Sequence, residues 1–217
     1  MKNIYLLISL LFLFSCGNEK VVQLPEINHS NISEIQDVSA AYLFYDASNQ
    51  EGYELNRKNL ISSTNWLVNV DKRLTLKQVI PQIKFLQNKK QTSSHKNENA
   101  KNYFTCNDIS KKTLGFIEFT DVVYNEESPD FIENISPIRF DLDGNITITN
   151  PTSEPSTIMT NKKDFIHDLK KMDTVQQAFH LMFNAALSFQ DYIAYKSALS
   201  TSDFKYITLS NQEFLHN

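Results

Sequence analysis

The chain has 217 residues, 41% hydrophobic and 12% aromatic, with 21 basic against 25 acidic side chains and a net charge of −4. A slightly acidic chain lacks the basic field that phosphate backbones require, so no nucleic-acid partner is expected. Gly17, Gly52, Gly115 and Gly144 are the whole glycine complement, and phosphate-cradling loops need several glycines close together, which excludes dinucleotide and nucleotide folds.

The amino end reads as a secretory signal: Lys2, an apolar run from Ile4 to Phe14, then Ser15 and Cys16. That run is far shorter than the roughly 20 residues a membrane span needs. Leu13-Phe14-Ser15-Cys16 resembles the lipobox of bacterial lipoproteins; Leu13, Ser15 and Cys16 match it, and Phe14 is bulkier than the pattern. The resemblance implies removal of residues 1–15 and acylation of Cys16, palmitate included, which makes the membrane a partner through that lipid. It also implies a cell-envelope address. Gly17 stands where lipoproteins retained at the inner membrane carry Asp, which points to the outer membrane and leaves the periplasmic or surface face open. Each buried methylene contributes about 0.8 kcal/mol, so several acyl chains hold a domain durably. With Cys16 acylated, Cys106 is the remaining thiol and no intramolecular disulfide is expected.

Residues 16–39 are polar, contain Pro25 and show no period, so they are expected to form a flexible tether, with the globular domain spanning 40–217. Tyr42 to Tyr45 is a β-prone run, Ser48 to Arg57 a turn region, and Trp66, Val68 and Val70 share one face of a strand. Thr75-Leu76-Lys77-Gln78 fits a capping box, and Leu76, Val79, Ile80, Ile83 and Leu86 follow a helical period with Pro81 inside it. Residues 87–101 should be an exposed loop, and Tyr103 to Cys106 and Leu114 to Tyr124 strands. Ile138 to Thr149 predicts a hairpin. A three-residue loop ending at Gly144 puts Ile138 opposite Ile148 and Phe140 opposite Ile146, all on one face. Residues 150–161 read as a loop. From Asp164 to Ile193 apolar residues step by three and four, predicting a helix broken at Asp173-Thr174, with Asp173 capping a second, apolar, central helix. Phe204 to Leu209 closes the chain as a strand.

The expected fold is therefore a single α+β domain, with a mixed or mostly antiparallel sheet packed by two helical segments. Its two halves, Tyr42 to Cys106 and Ile138 to Leu209, each read strand, strand, helix, strand. In element order alone this resembles the small periplasmic α/β domains of biopolymer-transport accessory proteins.

Candidate chemistry is sparse. Cys106 in Tyr-Phe-Thr-Cys has the setting of a small buried hydrophobe rather than a nucleophile. His29, His95, His167, His180 and His216 show no ligand spacing, so no metal site is expected. Asp141, Asp143 and Asn145 suit a turn rather than a calcium loop, which would need a later glycine and glutamate. Ser93-Ser94-His95-Lys96 contains a Ser-x-x-Lys string outside any packed helix. Glu126, Glu127, Asp130 and Glu133 read as a solvated acidic loop, and the paired lysines as dispersed surface. No catalytic residue and no cofactor is assigned; Cys16 is the one modification site. The expected function is a non-enzymatic binding or structural module on a lipid anchor, with an envelope protein as partner. The alternatives are an exported hydrolase with an unrecognised site and a glycan- or small-ligand-binding lipoprotein.

Overall fold

The computed structural model describes residues 20–95, 97–127, 135–150 and 156–217. Cys16 and the signal segment lie outside these, as do Lys96, Asp130 and Glu133. Among the described residues there are twelve strands and three helices. In chain order they are β1 (Glu26–Ile27), β2 (Val38–Tyr45), β3 (Tyr53–Asn56), β4 (Asn65–Val70), α1 (Leu76–Gln91), β5 (Asn102–Asp108), β6 (Thr113–Glu118) and β7 (Val123–Asn125). The second half adds β8 (Ser136–Phe140), β9 (Asn145–Asn150), β10 (Ser156–Asn161), α2 (Phe165–Met172), β11 (Gln177–Asn184), α3 (Phe189–Ser200) and β12 (Ile207–His216). They form two mixed sheets over one hydrophobic core, an α+β fold.

The first sheet runs β1-β5-β4-β2-β3, with β6 antiparallel to β5; the second runs β10-β9-β8-β11-β12-β7. The two orders repeat each other. β2, β4 and β5 are parallel neighbours, as are β8, β11 and β12. β3 turns back antiparallel on β2 and β9 on β8. The short leading strands β1 and β7 lie parallel to β5 and β12. The halves meet where their helices begin: Thr75 and Ser188, the N-cap residues of α1 and α3, form an antiparallel bridge. Leu76 N donates to Leu187 O (3.0 Å) and Phe189 N to Leu74 O (2.7 Å), while Lys77 N reaches Ala185 O and Gln190 N reaches Lys72 O. These reciprocal bonds relate Leu74-Thr75-Leu76 to Leu187-Ser188-Phe189 by a local twofold, and Asp71 and Asn184 make the same turn onto the backbone N of Arg73 and Ala186.

The β8–β9 hairpin has the expected register, Ile138 opposite Ile148 and Phe140 opposite Ile146, with Gly144 at φ +84° in its turn. α1 starts at the expected box, where Gln78 Oε1 accepts from Thr75 N (3.0 Å), and it continues through Pro81 to Gln91. Four expectations are corrected. Residues 177–184 are strand, not helix: Phe179, Leu181 and Phe183 face the core while His180 and Met182 are buried on the other face, so a strand covered on both sides mimics a helix's continuous apolarity. Asp173 does not cap a second helix; its carboxylate accepts from the backbone N of Lys205, Tyr206 and Ile207 (2.6–2.8 Å) and launches β12. Ser156–Asn161 and Tyr53–Asn56 are edge strands rather than loop and turn, paired antiparallel with β9 and β2. Finally, the folded body includes residues ahead of Ala40. β1 pairs with β5, Pro25 is buried, and Lys72 N donates to Gln23 O (2.8 Å), so residues 20–39 are packed against the body rather than free.

α3 is the central element. Phe189 and Tyr192 meet Phe104 of the first sheet edge-on at 5.2 and 6.3 Å, while Tyr195 lies 4.6 Å from Phe140 of the second. Its buried side chains include Phe189, Tyr192, Ile193, Tyr195 and Leu199, while Gln190, Asp191 and Lys196 keep a partly exposed polar side. The all-round apolarity expected of a second helix came from residues that form β11.

Candidate functional site

The residues singled out for chemistry are not brought together. Cys106 is fully buried in β5, and burial pushes its thiol far above the usual range, the opposite of a reactive thiolate. His29 and His167 are exposed, His180 is buried on β11, and His216 lies 3.7 Å from Asp141. Burial, with Arg139 nearby, holds His180 below the usual imidazole range, so its ring is neutral at pH 7. Asp143 accepts from Asn145 N at 3.2 Å and from its side-chain amide at 2.6 Å, as turn carboxylates do. Glu126 pairs with Lys84 at 2.6 Å. Among the described residues no three His, Cys, Asp or Glu side chains gather in metal-binding geometry.

Sequence reasoning missed two features. The first is a polar cluster inside the core. Pairing between β11 and β12 shifts between Phe179 and Leu181: Phe179 faces Leu209, but Leu181 faces Glu213, so β12 carries extra residues there. The shift sets Glu213, 3% exposed, against α3. Tyr192 and Lys196, one helical turn apart, both reach its carboxylate, the tyrosine hydroxyl at 2.8 Å and the ammonium in close contact. Tyr124 Oη stands 3.2 Å from Tyr192 Oη. Burial first, and then the Glu213 charge, push both phenols well above their usual range, so they stay protonated hydrogen-bonding groups. Lys196 also borders a cavity of about 310 Å³ between the end of α3, β6 and the 27–32 segment, with Ser30, Glu118, Ser200 and Thr201 among its polar walls. Nothing in the cluster pairs a nucleophile with a free base: the lysine is neutralised by Glu213 and the phenols are protonated.

The second feature is the outer face of the first sheet. On β2, Ala41 and Leu43 enter the core while Val38, Ala40, Tyr42 and Phe44 point away from it. On β4, Trp66, Val68 and Val70 face inward and Leu67 outward, beside Ala40 on one side and Tyr103 on the other. Tyr42 and Phe44 stack with centroids 5.9 Å apart, and Val38 and Tyr42 are 43% and 37% exposed. Both helices that touch this sheet, α1 and α3, lie on its inner side, where their buried residues join one core. The alternation of Val38 to Phe44 was the signal: both parities are apolar, which leaves one apolar set without a place in the core.

A buried amine also lies at the end of α1. Lys90, 6% exposed, ends α1 with its Nζ on Lys101 O (3.0 Å) and Asn102 Oδ1 (2.9 Å), 5.1 Å from the Trp66 ring centroid. Burial pushes it down to about 8. Comparison with protein-family models, with curated proteins and with solved structures returned no match.

Proposed function

We propose that this chain is an envelope lipoprotein acylated at Cys16, acting as a non-enzymatic module that binds a partner protein through the outer face of its first sheet. The observation that carries the reading is the apolar strip on the outer face, with Tyr42 and Val38 exposed and Ala40, Phe44 and Leu67 partly exposed. An open sheet face with stacked aromatic rings suits a protein surface, because exposed tyrosine supplies large contact area at little entropic cost. The cavity beside Lys196 favours a second reading, a small polar ligand, since its volume lies at the lower end of ligand pockets.

The test is a photo-crosslinking residue placed at Tyr42, with a control at exposed Lys163 on the second half. In envelope membranes the Tyr42 position is expected to give one discrete adduct, lost on Phe44→Asp, while the control gives none. A folded, membrane-associated chain yielding no adduct from Tyr42, Ala40 or Leu67 would end this reading and leave the cavity as the site to pursue.

A further inference from the structure

We infer that the acylated domain sits with one particular end against the bilayer, the end where β2 and β4 of the first sheet finish, an orientation that rests on the lipid-anchor reading above. The described chain enters at that end. Lys20 Nζ binds Asp46 Oδ2 at 2.7 Å and also contacts the Glu54 carboxylate, and Asp46 directly follows the last residue of β2. Gln23 N donates to Asp71 Oδ2 at 3.1 Å, and Lys72 N donates back to Gln23 O at 2.8 Å; Asp71 directly follows the last residue of β4. Asp71 is itself fully buried and gripped by both arms of Arg73, Nε and Nη2 each at 2.8 Å. Burial alone would raise this carboxyl, but those bonds outweigh it and keep it charged, so Gln23 is tied to a firm post.

Length then decides the orientation. From Cys16 to Lys20 is four residues, which reach at most about 14 Å however they are arranged. β2 has eight residues and is about 26 Å long, so the opposite end of the sheet is out of the anchor's reach. Measured from Gln23 instead, the reach grows to about 25 Å, which makes the Lys20 contacts the deciding restraint. The side chains at this end suit a lipid–water boundary. Val21 is 72% exposed, and Tyr45, 41% exposed, carries the Arg73 guanidinium 4.4 Å over its ring. The apolar outer strip of β2 would then stand upright beside the membrane, open to a partner held in the same envelope.

The experiment uses the acylated full chain in vesicles, carrying a fluorophore at Ala47→Cys, just past β2, or at Ser63→Cys, just before β4. Both positions are exposed, and the buried Cys106 thiol is inert to the label. Headgroup-nitroxide lipid is expected to quench the Ala47 label at least twofold more than the Ser63 label. Adding Lys20→Glu, which sets a carboxylate against Asp46 and Glu54, should narrow that difference. Equal or reversed quenching on vesicle-bound protein overturns the orientation alone. A chain from envelope membranes that fails to co-float with vesicles overturns the lipid reading beneath it.

Discussion

Glu213 and Lys90 show two solutions to a buried charge. Glu213 is neutralised by Lys196 and accepts from Tyr192, so its desolvation is offset by an ion pair and a hydrogen bond. Removing only the cation strands a carboxylate in the core. Lys196→Met is expected to lower stability by about 3 kcal/mol, and Lys196→Met with Glu213→Gln to recover most of it, as measured by urea unfolding. Lys90 has carbonyl acceptors among its close contacts, with Glu98 and Asp121 bordering the same recess. Its folded value of about 8 lies below the 10.5 of the unfolded chain. Below pH 8 both states bind the proton and the penalty is complete; between 8 and 10.5 the unfolded state binds more protons, so folding strengthens as pH rises. Relative to Lys90→Met, the native chain should therefore gain denaturant resistance from pH 7.5 to 10.5. A constant difference across that range would show that the amine is not depressed. Neither residue was visible as buried in the sequence: Lys90 lies among polar neighbours and reads as surface, and Glu213 follows the polar Ser210-Asn211-Gln212 run.

At the scale of elements, legibility followed how each segment is covered. The β8–β9 hairpin was legible because turn geometry and one-sided burial both fix its register. The start of α1 was legible because Thr75 and Gln78 act on each other within one turn. β11 was not, since Phe179 to Phe183 is buried on both faces and its periodicity is erased; only pairing with β8 and β12 makes it a strand. Asp173 had the right chemistry for a cap and a different use, because tertiary structure brings three backbone donors of the β12 lead-in to its carboxylate. The matching strings Leu-Thr-Leu-Lys-Gln-Val-Ile from Leu74 and Leu-Ser-Phe-Gln-Asp-Tyr-Ile from Leu187 were in view, but only the reciprocal backbone bonds give their likeness a structural meaning.

For the whole molecule, the two sheets with the same strand order share one core through α3 rather than forming two independent bodies. Unfolding should accordingly be a single cooperative event. Trp66, the one tryptophan, reports from β4 of the first half, and far-ultraviolet circular dichroism reports from both halves. Their urea transitions are expected to coincide, and a fluorescence midpoint separated from the dichroism midpoint would mean that the halves fold on their own.

The class of the fold, the hairpin register and the start of the first helix were legible in the chain order alone. Those features depend on contacts within a few residues or on composition, which the chain order carries directly. The strand state of β11, the inward turn of Glu213, the open side of β2 and the seating of Lys20 and Gln23 came from contacts between distant segments. Each of these depends on what a distant segment covers or leaves bare, and burial is a property of the assembled layers that no single stretch of chain contains.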